Sequence, residues 1–121
     1  MSVMRVSAAG QIALAVTPFL YASFAIERVS VASDGTQGND DSTWEGIALS
    51  ADGRFVAFTS VASNLVPGDT NDCRDIFVHD RQTGATERVS VDSAGNQGNG
   101  PSGYAAISPD GRYVTFGSGA S

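Results

Sequence analysis

The stretch SADGRFVAFTSVAS, residues 50–63, decides the fold, because it returns at residues 108–121 as SPDGRYVTFGSGAS with nine of fourteen positions identical. Each copy opens with the chemistry of a tight turn. In Ser108-Pro109-Asp110-Gly111 the proline fixes φ at the first corner, the aspartate suits the second, and the glycine tolerates the left-handed position after it. Ser50-Ala51-Asp52-Gly53 has the same order without the proline. After the turn, Arg54 to Thr59 is short and rich in β-branched and aromatic residues, which is the pattern of a strand.

Working outward, a second pair of segments repeats in the same order. ERVSVASDGTQGN at residues 27–39 and ERVSVDSAGNQGN at residues 87–99 share ten of thirteen positions at an offset of 60. The offset of the first pair is 58, so the earlier copy holds two extra residues between Asn39 and Ser50. A period near 60 is compatible with propeller blades, helical solenoids or tandem arrays. The local pattern selects strands: Asp75 to Asp80 is another short β-branched and aromatic run, and Asp80-Arg81-Gln82-Thr83-Gly84 forms a turn after it. One unit therefore reads as Gly46 to Leu49, Arg54 to Thr59, Asp75 to Asp80 and Thr86 to Val91, a four-stranded antiparallel blade.

The strings at residues 50–58 and 108–116, each preceded by an isoleucine-bearing strand, resemble the WD40-like (PD40) β-propeller repeat of TolB-type proteins. Asp75-Ile76-Phe77-Val78-His79-Asp80-Arg81-Gln82-Thr83-Gly84 is similar to the third strand and turn of that repeat. The resemblance implies an all-β fold in which residues 26–121 form an incomplete β-propeller: one outer strand beginning at Glu27, one full four-stranded blade, and half of the next. Ser121 aligns with Ser63, after which the first copy continues into its third and fourth strands, so a truncated product is expected. Blades bury their faces only against neighbouring blades.

Residues 1–25 differ in character from the remainder of the chain. Arg5 is their only charged side chain, Ile12 to Leu20 is mostly apolar, and Ser23-x-Ala25 supplies small residues ahead of a cleavage point before Ile26. This is the form of a secretory signal peptide, and it predicts a periplasmic or extracellular product. A helix or strand packed on the domain is the alternative. No run reaches the length of a membrane-spanning helix.

Ten aspartates and three glutamates against seven arginines and no lysine give a net charge of -6. Such a surface repels phosphate backbones, and the arginines are scattered, which disfavours nucleic-acid binding. The single cysteine, Cys73, has no internal disulfide partner.

The loop from Pro67 to Asp75 gathers Asp69, Asn71, Asp72 and Asp75, hard oxygen donors of the kind calcium takes. It is not an EF-hand, since Arg74 stands where that loop turns on glycine. A looser calcium site would use Asp69, Asn71 and Asp75; turn capping by the same Asx side chains explains the cluster without metal. His79, the only histidine, shares a strand face with Phe77 and is expected to be structural. No catalytic residues are identified, because there is no G-x-S-x-G elbow. The duplicated Gly-rich strings at 34–39 and 94–99 lack a Walker lysine and read as structural loops. Trp44 and Tyr104, just before the innermost strands, are expected to pack between blades, with a carbohydrate-binding surface as the alternative.

These readings lead to a non-enzymatic binding or scaffold module that meets a protein or small ligand through propeller loops and self-associates through open blade edges. One alternative is the propeller portion of a larger secreted hydrolase or peptidase, an expectation from fold analogy. A calcium-binding loop protein is another.

Overall fold

A computed structural model describes residues 2–8 and 22–121. The elements are all strands: β1 (Ser2–Ala8), β2 (Ala22–Arg28), β3 (Ser42–Leu49), β4 (Phe55–Ser60), β5 (Asp75–Asp80), β6 (Thr86–Arg88), β7 (Ser102–Ile107) and β8 (Val114–Ser118). They form antiparallel sheets β1-β2, β3-β4-β5-β6 and β7-β8, and no sheet closes on itself. Among the described residues no helix is long and apolar enough to cross a membrane.

The central sheet is a meander in which tight turns join β3 to β4 and β5 to β6, while a longer loop over residues 61–74 joins β4 to β5. At the β3–β4 corner Gly53 N–H donates to Ser50 O (2.9 Å), and Gly53 takes φ +72°. Ser50 Oγ donates to Asp52 Oδ1 (2.6 Å) and accepts from Phe55 N (3.0 Å), while Asp52 Oδ1 also accepts from Arg54 N (3.0 Å). Ser108, Asp110, Gly111, Arg112 and Tyr113 repeat this network between β7 and β8. The β5–β6 turn hangs on Asp80, whose carboxylate accepts from Gln82 N (2.9 Å) and from Arg54 Nε and Nη2 (3.0 and 2.7 Å). The Arg54 hydrogen bonds hold the Asp80 carboxyl well below the usual carboxylate range.

Register in β4–β5 places Phe58 opposite Phe77 and Val56 opposite His79, so these four share one face. Phe58 and Phe77 are fully buried, their ring centroids 5.8 Å apart, and Ala62 and Leu65 of the β4–β5 loop close over them. The opposite face carries Ala57 and Ile76 and is covered by β7–β8 through Ala105, Ile107, Val114 and Phe116. Two covered faces explain the near-continuous apolar character of β4. Each of these large side chains contributes about 1.5 to 3 kcal/mol by burial.

The two stacked sheets are also joined through backbone. Ala51 N donates to Pro109 O (2.9 Å), linking the paired turns, and Ser102 N donates to Arg74 O (2.7 Å) at the other end.

Two strand boundaries differ from the expected ones. β3 begins at Ser42, ahead of the predicted Gly46, because pairing with β4 resumes on the far side of a bulge between Thr43 and Ile47. The fourth strand is short: after Arg88 the Ser90 hydroxyl takes the Ile76 N–H (3.1 Å), replacing the ladder bond a longer strand would make. The chain then turns through a Val91–Gln97 bridge, matched in the first copy by Val31–Gln37. Of the predicted leader, residues 1–25, residue 1 and residues 9–21 lie outside the described residues; β2 pairs with β1 and runs across the predicted cleavage point.

Candidate functional site

The predicted calcium residues are brought together, around a cation the protein supplies itself. Gly68 at φ +75° and Asp72 at φ +51° fold the 67–75 loop back on β5. Arg88 Nη1 then lies 3.2 Å from Asp69 Oδ1 and 3.5 Å from Asp75 Oδ2. The side chains of Arg88, Asp69 and Asp75 are 10%, 5% and 0% exposed, which makes this a buried charge cluster. Asn71 Nδ2 donates to Asp75 Oδ2 and to Gly98 O (both 2.9 Å), and its Oδ1 accepts from Cys73 N (3.0 Å). Asn71 thus closes an Asx turn and spends its oxygen on the backbone. Ser90 Oγ donates to Asp75 Oδ1 at 2.6 Å. Burial, reinforced by the Asp75 carboxylate, pushes the Asp69 carboxyl above its ordinary value, and Arg88 opposes that rise.

Arg88 is the residue sequence reasoning missed. Its signal is the matched pair Arg28/Arg88 and Gln37/Gln97 in the duplicated segments: Arg88 Nη1 donates to Gln97 Oε1 (3.0 Å) and Arg28 Nη1 to Gln37 Oε1. Among the described residues no three His, Cys, Asp or Glu side chains form a group suited to holding a metal.

His79 is 4% exposed, with Nδ1 2.8 Å from Thr86 Oγ1. Thr86 Oγ1 donates to Val31 O (2.6 Å), so its one proton is committed and it accepts from His79, which fixes the tautomer protonated on Nδ1. Burial lowers the His79 pKa, favouring neutral imidazole. The side chain thereby ties β5 through Thr86 to Val31, just ahead of the first Gly-rich string.

A groove lies where the first strands of the stacked sheets both bulge. The β3 bulge, between Thr43 and Ile47, inserts Trp44, Glu45 and Gly46 with no residue of β4 opposite them. The matched β7 bulge, between Gly103 and Ala106, sets Tyr104 and Ala105 against the single residue Phe116. The two residues that separate the offsets of 60 and 58 are accommodated here. The bulges meet backbone to backbone: Gly46 takes φ +104°, and a Cβ there would lie 2.4 Å from Ala105 N. Thr59 Oγ1 donates to Glu45 O (2.9 Å) and fixes the bulge from β4.

Tyr104 takes φ +59°, a conformation that is uncommon for an aromatic residue, yet its side chain has not gained a buried position: the residue is 74% exposed. This corrects the expectation that Tyr104 packs between sheets. Gly117 on β8, where a Cβ would lie 3.9 Å from Tyr104 Cδ2, offers no side chain to cover the ring. Beside it Arg74 Nη1 donates to Glu45 Oε2 (2.5 Å), an ion pair with side chains 42% and 30% exposed. Ser102 Oγ and Ser118 Oγ are hydrogen-bonded at 3.1 Å. Together these residues line a groove of about 370 Å³.

No family model, curated protein or solved structure matches this chain.

Proposed function

We propose that the chain is a non-enzymatic binding or scaffold module of TolB-like β-propeller construction, exported to the periplasm or extracellular space, that meets a protein or small ligand through loops at its strand ends. The observation that carries the reading is the stacking of β7–β8 on β3–β4–β5. Two hairpins with the same turn network lie against each other, with Ala51 N donating to Pro109 O. Face-to-face stacking of equivalent antiparallel units is how blades bury their apolar faces. β8 matches β4, but where β4 pairs with β5 the outer edge of β8 has no partner strand among the described residues. Such an edge is a template for pairing with another chain.

Light scattering coupled to size exclusion tests the proposal on the 12.4 kDa chain. Assemblies of several subunits, or aggregation suppressed by a charge or proline introduced into β8, are expected. A stable, compact monomer would refute it. Export is tested separately by N-terminal sequencing of secreted material, for which Ile26 is the expected first residue.

A further inference from the structure

We infer that the groove at the paired bulges is a binding subsite for a neutral saccharide, with Tyr104 as its stacking platform. The inference rests on the binding-module reading and names the ligand class of that module.

Three observations carry it. Tyr104 holds a backbone conformation that glycine adopts freely and aromatic residues avoid, at a position whose counterpart in the first copy is within a bulge containing Gly46. Fold stability alone favours glycine there, so the ring answers to another demand; strained, exposed residues of this kind concentrate at ligand contacts. The ring is left uncovered, and Gly117, where a Cβ would lie 3.9 Å from Tyr104 Cδ2, keeps the approach to it open.

The rest of the lining selects the ligand. Arg74 and Glu45 neutralise each other, so the groove has no net charge to recruit an ion, and the acidic chain as a whole repels anions. What remains is an apolar ring face beside a donor (Arg74), an acceptor (Glu45) and the exposed Ser118 hydroxyl, which accepts from the buried Ser102 hydroxyl. A pyranose has that complementary form: one face of C–H groups that packs on an aromatic ring, and an equator of vicinal hydroxyls that both donate and accept. The volume suits a small ligand of one or two rings.

The test is a titration of the full chain with cellobiose, maltose and N,N′-diacetylchitobiose, each to about 20 mM, which saturates a millimolar site, read from amide NMR shifts of Gly103, Tyr104 and Gly117. At least one sugar is expected to shift these amides saturably. Tyr104→Phe should keep affinity within about threefold, and Tyr104→Ala should weaken it at least about tenfold, the loss expected for a stacking contact. Tyr104→Gly should abolish binding while raising the melting midpoint, an outcome that a structural role for the ring would reverse. The inference is overturned if none of the three sugars shifts these amides, if Tyr104→Ala binds as well as the native chain, or if Tyr104→Gly melts lower. A compact monomer that still binds sugar through Tyr104 would refute the propeller reading alone, whereas an assembled chain blind to all three sugars would refute the subsite alone.

Discussion

Phe58 and Phe116 occupy matched positions of the two sequence copies, and the structure makes opposite demands of them. Phe58 is fully buried on β4, which is flanked by β3 and β5 and covered on that face by Ala62 and Leu65. Phe116 is only partly buried on β8, which has β7 on one side and no strand on the other among the described residues. Phe58→Ala removes a ring with contacts on every side, including the tilted Phe77 ring, and should cost about 3 to 5 kcal/mol. That is a large share of the roughly 5 to 15 kcal/mol typical of a native fold. Phe116→Ala loses part of one face and should cost about 1 to 2 kcal/mol. Urea unfolding at a fixed low-micromolar concentration measures both; at a slope of about 2 kcal/mol/M, midpoints should fall by roughly 2 M and by roughly 0.5 to 1 M respectively. Equal losses would mean that the two phenylalanines are equally enclosed, and would refute the unequal flanking of β4 and β8.

Gly46→Ala places a Cβ 2.4 Å from Ala105 N at φ +104° and should destabilise by about 3 kcal/mol in the same assay; a neutral result would show that the bulges do not touch. Arg88→Met leaves Asp69 and Asp75 buried without a counter-charge and should cost about 3 to 5 kcal/mol, and a loss below about 1 kcal/mol would refute the cluster. Because Arg88 already stands between these carboxylates, millimolar calcium should leave the melting midpoint of the native chain unchanged; a rise of several degrees would restore the calcium reading. The lowered His79 pKa means that the unfolded chain takes up a proton first as pH falls through about 6.5, so its contribution is present above that pH and lost below it. The urea midpoint should therefore drop between pH 7.5 and 5.5 in the native chain and much less in His79→Gln; an equal drop in both would refute the assignment.

Much of the fold was legible because turn chemistry is local. Ser-x-Asp-Gly encodes its own hydrogen bonds within six residues, so both hairpin corners could be placed from the sequence, and β5 fell on its predicted residues. The ends of β3 and β6 were not legible: a bulge and a serine hydroxyl acting on Ile76 depend on what the neighbouring strand offers. The aspartate cluster was visible as composition, but its counter-ion was not, since Arg88 reaches it only after β5 and β6 pair.

By itself, then, the sequence determined strand periodicity, the turns and the duplication, all of which depend on contacts between near neighbours in the chain. Only the tertiary structure decided which of two identical phenylalanines is enclosed, that Arg88 sits between Asp69 and Asp75, and that Tyr104 stands in the open. Those outcomes depend on the stacking of sheets whose residues lie tens of positions apart, and burial, counter-charge and exposure are properties of that stacking.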